Sequence, residues 1–521
     1  MMLNLKPIGA GLLCSILLAA CGGAHATPIV PPTAASTAVP VSTQLQASAT
    51  LAPTITPLPT QESAAPETTQ TASPAAPPRG PQINHAQPLF IFPTTDGLMI
   101  VNADGTGKTL ISDSVPTLGR NLSVGLSPRG GLLAFYAGVS PRQAGSEPLT
   151  LKLLDVSTGK TQSITRLFSL EMEQALQTAS APGERTDAVE ASIAVVDNDH
   201  TLAWSPDGRY LAFIAAIDGP SSDLYSYDRE TGQVNRLTDG LNQAARLFWS
   251  PDSQWIIHEE VISFGTGAGW NVKAVWAAAP DGSGNRKLYD VEHSGDEIFV
   301  DWVTPKSFRV YSWTPIGLRN IRLVDLDTGA AQRSGPEFPV QALAVDPKSQ
   351  AQLYVVDDYA AKQNDLQGGL YLASPAKQPQ LIASGNWYDV RWLPHAQLFF
   401  AKGEKGVISV KEDGTTTEYF GEGALPIDAP DGAWLLAWGE GNYTSPIGLR
   451  LYTTDGAPAG ELKRAITTEA TFFATWAPDS TGVFYVSGGA LRYASIPNGE
   501  PQLIEENLTT AETGSMGWVM P

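Results

Sequence analysis

The sequence predicts an all-β protein: a β-propeller of four-stranded antiparallel blades, about eight in number, with seven to nine open. Three observations carry that expectation. A phrase of tryptophan, then Ser-Pro-Asp-Gly, between two apolar runs returns along the chain. The runs beside it are short and rich in Phe, Tyr, Trp, Val, Ile and Leu, which suit strands. The two chain ends carry complementary parts of one blade.

The phrase is clearest as WSPDGRYLAF at 204–213 and WSPDSQWIIH at 249–258. Weaker copies place their prolines at Pro128, Pro305, Pro347, Pro394, Pro430 and Pro478, and the successive gaps are 78, 45, 54, 42, 47, 36 and 48. A period in the forties marks a propeller or a solenoid. Proline presets φ at the first corner of a tight turn and glycine closes it, so each phrase joins a first strand to a second. Stretches such as DLYSYDRETGQ (223–233) and IRLVDLDTGA (321–330) add a third strand and a second turn, and VNRLTDG (234–240) adds a fourth. LFIF (89–92), GLMIVNAD (97–104) and KTLISD (108–113) read as strands two to four of a blade lacking its first. MGWVMP (516–521) supplies that first strand, which closes the ring and removes an open sheet edge. Literal counting gives nine blades. The copies at 343 and 426 are the weakest, so about eight are expected.

Trp204-Ser205-Pro206-Asp207-Gly208 and Trp249-Ser250-Pro251-Asp252 resemble the blade motif of TolB-like propellers, which is also found in the propeller domains of prolyl-oligopeptidase-type enzymes. The resemblance covers 89–521 and implies the fold. The chain has a tether where TolB has an N-terminal α/β domain, and no Gly-x-Ser-x-Gly nucleophile elbow is present. The prolyl-oligopeptidase reading therefore has nothing to rest on.

The domain order follows from composition. Residues 1–20 read as a signal peptide: Lys6, then an apolar run from Ile8 to Ala20 that is short for a membrane span. Leu18-Ala19-Ala20-Cys21 resembles the bacterial lipobox, which implies a lipid on Cys21 and an extracytoplasmic chain anchored to a bacterial membrane. From Cys21 to residue 85 the chain is Pro, Ala, Thr and Ser with no aromatic residue. Too little apolar area exists there to offset the entropy of ordering, so a disordered tether is expected. The propeller occupies 86–521, with an insertion at about 167–199 in which LFSLEMEQALQTA (167–179) has helical periodicity.

The net charge of −20, from 33 basic and 53 acidic residues, argues against a nucleic-acid partner. The cysteines are Cys14 and Cys21 alone, so no disulfide framework or thiolate metal site is expected. NADGTGKT (102–109) has Asn where a phosphate-binding loop needs Gly, and it reads as a hairpin turn. Strand alternation puts the Pro/Asp/Gly turns on one face of the ring. The long loops 138–148, 261–270, 357–369 and 439–448 fall on the other, together with the blade-to-blade links. Trp270, Tyr359 and Tyr443 lie in those loops and Trp387-Tyr388 in a link, so these five are the candidate ligand-binding residues. His258-Glu259 and His293 with Asp296 are weak candidates for a divalent metal, since no fixed ligand spacing is present. Neither a cofactor nor an oligomer is expected. The function expected is a binding or scaffold module for a protein or cell-envelope ligand. The alternative is a metal-assisted propeller lyase or hydrolase acting on glycans or peptides.

Overall fold

The computed structural model describes residues 82–521 except 118–121, 139–146, 179–186, 197–199, 264–269, 292–296, 315–316, 376, 421–424, 440–447, 455–461 and 510–514. The expected signal peptide, Cys21 and nearly all of the expected tether lie outside the described residues.

Nine antiparallel sheets follow one another along the chain, eight of them four-stranded and one three-stranded. Blade one holds β1 (Leu89–Thr94), β2 (Gly97–Asn102) and β3 (Thr109–Ser112), completed by β35 (Gly517–Val519). Its closing register is Leu89 opposite Val519, Phe90 opposite Trp518 and Ile91 opposite Gly517. Blade two holds β4 (Leu132–Ala137), β5 (Thr150–Asp155) and β6 (Lys160–Arg166). Blade three runs from β7 (Leu202–Trp204) through β8 (Tyr210–Ala215) and β9 (Asp223–Asp228) to β10 (Val234–Arg236). Blade four contains β11 (Gln243–Trp249), β12 (Ile256–Ser263), β13 (Trp270–Ala278) and β14 (Asn285–Asp290). Blades five to nine span 297–333, 342–384, 387–420, 427–467 and 471–505 with four strands each. The fold is a β-propeller of nine blades, the upper end of the expected range. The weak copies at 343 and 426 both form blades.

The core lies between blades. Buried hydrophobic side chains fall into nine clusters, one at each junction of neighbouring blades. The cluster joining blade nine to blade one stacks Phe90 on Phe484 at 4.5 Å and sets Trp518 5.1 Å from Phe90. A sheet of four short strands has two apolar faces and buries both only against neighbours, which is why closure matters.

The repeated phrase is a hydrogen-bonded unit. Ser205 Oγ donates to Asp207 Oδ1 at 2.6 Å and accepts from the Tyr210 amide at 2.9 Å. Gly208 N donates to Ser205 O, and Arg209 N to Asp207 Oδ1. Ser250, Asp252, Ser253, Gln254 and Trp255 repeat this pattern bond for bond. Gly208 has φ +66° and Ser253 φ +62°, the left-handed corner that the turn requires. The phrase also joins blades: Trp249 Nε1 donates to Ala203 O at 3.0 Å, and Ser253 Oγ accepts from the Asp207 amide at 2.9 Å.

Two expectations change. The first strand anticipated before Pro128 is a helical turn, α1 (Leu122–Gly125), followed by a single bridge from Leu126 to Leu133. Gly125 lies so close to Ala134 O that a Cβ there would sit 1.9 Å from it, and its carbonyl turns to accept Trp204 Nε1 at 2.8 Å. The insertion contains the expected helix, α2 (Leu170–Thr178), and a second one, α3 (Asp187–Val196). Ile193 and Val196 of α3 pack at the junction of blades two and three, and Val195 at that of three and four. The segment 102–109 is the expected β2–β3 turn, with Gly105 N bonded to Asn102 O.

Candidate functional site

The β20–β21 loop of blade six, between β20 (Gln352–Val356) and β21 (Gly369–Ser374), folds into α4 (Asp358–Gln363). Asp357 caps it, accepting from Ala360 N at 2.7 Å, a placement that satisfies an orphan amide of the first turn. Ala360 and Ala361 face the core, so Tyr359 is turned outward and is 56% exposed. Leu366 follows, also exposed. β22 (Lys377–Ser384) leads into the link before β23 (Trp387–Leu393). Gly385 N donates to Gly368 O at 3.4 Å, bringing that link beside the loop after α4. Tyr388 is 53% exposed, while Trp387 is half-buried against the core between blades six and seven, its Nε1 without a hydrogen-bond partner. Trp387 and Tyr388, expected in the link, are instead the first two residues of β23, where pairing with β24 (Leu398–Gly403) begins at Trp387. Tyr359 and Tyr388 are exposed on these adjoining segments. Trp270 opens β13 in blade four, its backbone paired with Ser263. Tyr443 lies outside the described residues.

Of the weak metal candidates, His258 and Glu259 are not brought together. Successive residues of a strand point to opposite faces. Glu259 is taken up by Arg246, with contacts of 2.6 and 2.7 Å. His258 is on the other face, 3% exposed, with Nε2 3.5 Å from Asn285 Oδ1. Burial holds His258 well below its ordinary value, at about 4, so it is neutral at pH 7. His293 and Asp296 lie outside the described residues. Among the described residues, no group of three or more His, Cys, Asp or Glu side chains could hold a metal ion.

Among the described residues, two clefts lie between blades, and of the side chains that line them sequence reading had singled out His258 alone, as a weak metal candidate. The larger, about 500 Å³, lies between blades five and six. Phe338, Tyr354, Pro375 and Pro379 line it with Gln350 and Gln352. Arg309, 1% exposed, holds two lining residues, Ser334 Oγ at 3.3 Å and Gln350 Oε1, while binding Asp301 at 2.7 Å. Burial raises the Asp301 carboxyl above its usual range. The smaller cleft, about 140 Å³, lies between blades three and four and gathers Asp223, Asp239, Asn242, His258, Glu260 and Trp276. These residues are spread over 54 positions of sequence, so no local motif marks them.

No family model matches the chain. It is 41% identical over 64 residues to the uncharacterized peptidase YuxL of Bacillus subtilis, covering 12% of this chain and 9% of that protein. It is 32% identical over 99 residues to the uncharacterized protein Atu1656 of Agrobacterium fabrum, covering 19% and 29%. The chain therefore matches less than a third of the length of either relative. Among solved structures, an oligogalacturonate lyase in complex with manganese aligns over 85% of this chain and 98% of its own at 12% identity, TM-score 0.39. TolB from Acinetobacter baumannii aligns over 56% and 61% at 16% identity, TM-score 0.28. A eukaryotic initiation factor aligns over 83% and 98% at 11% identity, TM-score 0.48. With scores this low, the nine-bladed topology rests on the strand pairing described above.

Proposed function

We propose that the protein is a recognition module of the bacterial cell envelope, anchored through a lipid on Cys21, whose loop face captures a protein or an envelope polymer. One observation carries the reading. Tyr359 and Tyr388 stand more than half exposed on adjoining segments of blades six and seven, whereas Trp204 and Trp249 beside the turns are buried and bonded to neighbouring blades. Exposed tyrosines on a rigid ring give large contact area at low conformational cost. Metal-assisted lyase or hydrolase chemistry draws no support from His258 and Glu259, since the first is buried and the second is committed to Arg246.

A photo-crosslinker placed at 359 and at 388 in intact envelopes tests this. One discrete adduct is expected at both positions. The Tyr359→Ala, Tyr388→Ala double variant should lower capture about tenfold, as for loss of interface anchors, with the melting temperature unchanged. Adducts that form instead at the turns 205–208 and 250–253 would sink the reading.

A further inference from the structure

The cleft between blades three and four has a charge of its own. Asp223, Asp239 and Glu260 line it. Arg236 is the cation beside them, and it is shared by Asp223 at 2.6 Å and Asp239 at 2.9 Å. Glu260 is held by neutral donors: Asn242 Nδ2 to one oxygen and Trp276 Nε1, at 2.8 Å, to the other. Among the described residues no salt bridge reaches it. Lys287, opposite Trp276 on the next strand, is near enough to feel the Glu260 charge but is bound by Asp290 at 2.7 Å, so that pair adds no net charge to the cleft. His258 lines the wall as a neutral ring, nearly parallel to the Trp276 ring. Three carboxylates against one guanidinium leave the cleft negative, which excludes anionic ligands and favours a cation.

We propose that this cleft binds a primary ammonium group carried on a short aliphatic stem. Size sets the stem: a cavity near 150 Å³ accepts about six heavy atoms. Trp276 and Ala244 offer apolar wall for the methylenes. A guanidinium fits less well, because each Glu260 oxygen already accepts one N–H and the open fork that a planar cation needs is taken. A compact ammonium needs a single acceptor direction from each partner. A metal ion fits less well still, since two N–H groups already point at Glu260. The site stands apart from the aromatic loop face and does not depend on it.

Titration calorimetry on the detergent-solubilised full chain, with n-butylammonium chloride as probe, tests the assignment. Saturable binding at one site is expected. It should weaken when sodium chloride is raised from about 0.05 to 0.5 M, and butyrate should not bind. Glu260→Gln should weaken it about tenfold, the order of one charge-assisted contact. Asp239→Asn, at a rim side chain that is 83% exposed and so harmless to folding, should weaken it severalfold. Tyr359→Ala should leave it unchanged. Spermidine and a blocked lysine tetrapeptide then separate the sources: tighter spermidine binding marks a free polyamine, tighter peptide binding a side chain of a polymer. Equal binding of n-butanol, no saturable binding, or unchanged affinity in both acidic variants would overturn the proposal.

Discussion

Trp204 ends β7 with its ring buried and its Nε1 donating to Gly125 O, 2.8 Å away in the preceding blade. Trp204→Phe keeps most of the volume and leaves that carbonyl unpaired, which costs about 1–3 kcal/mol. Trp204→Ala adds a cavity and should cost about 3–5 kcal/mol. Both are read as shifts of the denaturant midpoint, and neither should alter capture at the loop face. His258 makes a different prediction. Its folded value of about 4 lies below the ordinary 6.5. Between those pH values the unfolded chain binds more protons, so stability falls as pH falls through that window and the loss is complete below about 4. The upper bound is about 3 kcal/mol. Asp223 and Asp301, raised by burial, slope the opposite way, so the difference from a His258→Gln variant is the quantity to measure. A melting temperature that falls equally in both proteins between pH 7 and 4.5 would contradict the assignment.

At the scale of elements, closure is the decisive one. β35 is three residues long, yet it supplies the first strand of blade one and sets Trp518 against Phe90 and Phe484. Met516 and Val519 are buried with it. Deleting 516–521 removes that pairing and exposes the edge of β1. The melting temperature should drop by at least about 5 °C, and self-association through the open edge should appear in sedimentation. A deletion variant that melts with the parent would show the ring to be held elsewhere. α3 carries a related lesson. Ser192 Oγ donates to Gln243 Oε1 at 3.0 Å, so the insertion is wedged into the junction of blades three and four and is part of the scaffold there.

At the scale of the whole molecule, the ring presents two unlike faces. On one, Ser-Pro-Asp-Gly turns bond to neighbouring blades. On the other, α4 and the start of β23 carry the exposed Tyr359 and Tyr388. Recognition is expected on the second face, and the proposed lipid on Cys21 would keep the protein at a membrane. Cys21→Ser should move the protein from the membrane to the soluble fraction on cell fractionation, while its melting temperature stays the same. Retention of the variant in the membrane would place the anchor elsewhere.

Periodicity and turn chemistry were enough, in the sequence alone, to specify the propeller and its closure. Pro206, Asp207 and Gly208 fix a corner whatever surrounds them, and MGWVMP completes LFIF because it reads as the first strand that the N-terminal blade lacks and covers its open edge. The expectations of a lipobox and a tether are equally local, since they depend on composition and short spacing. What only the tertiary structure decided is how blades meet. α1 replaces a strand because Trp204 of the next blade takes the Gly125 carbonyl, a partner 79 residues away. Glu259 was set beside His258 as a metal candidate by adjacency, and strand alternation sends the two to opposite faces. The cleft of Asp223, Asn242, Glu260 and Trp276 draws on the strands and the link of two blades. Repeats specify a unit and its neighbours; a site between units depends on side chains that come together only once the ring has closed.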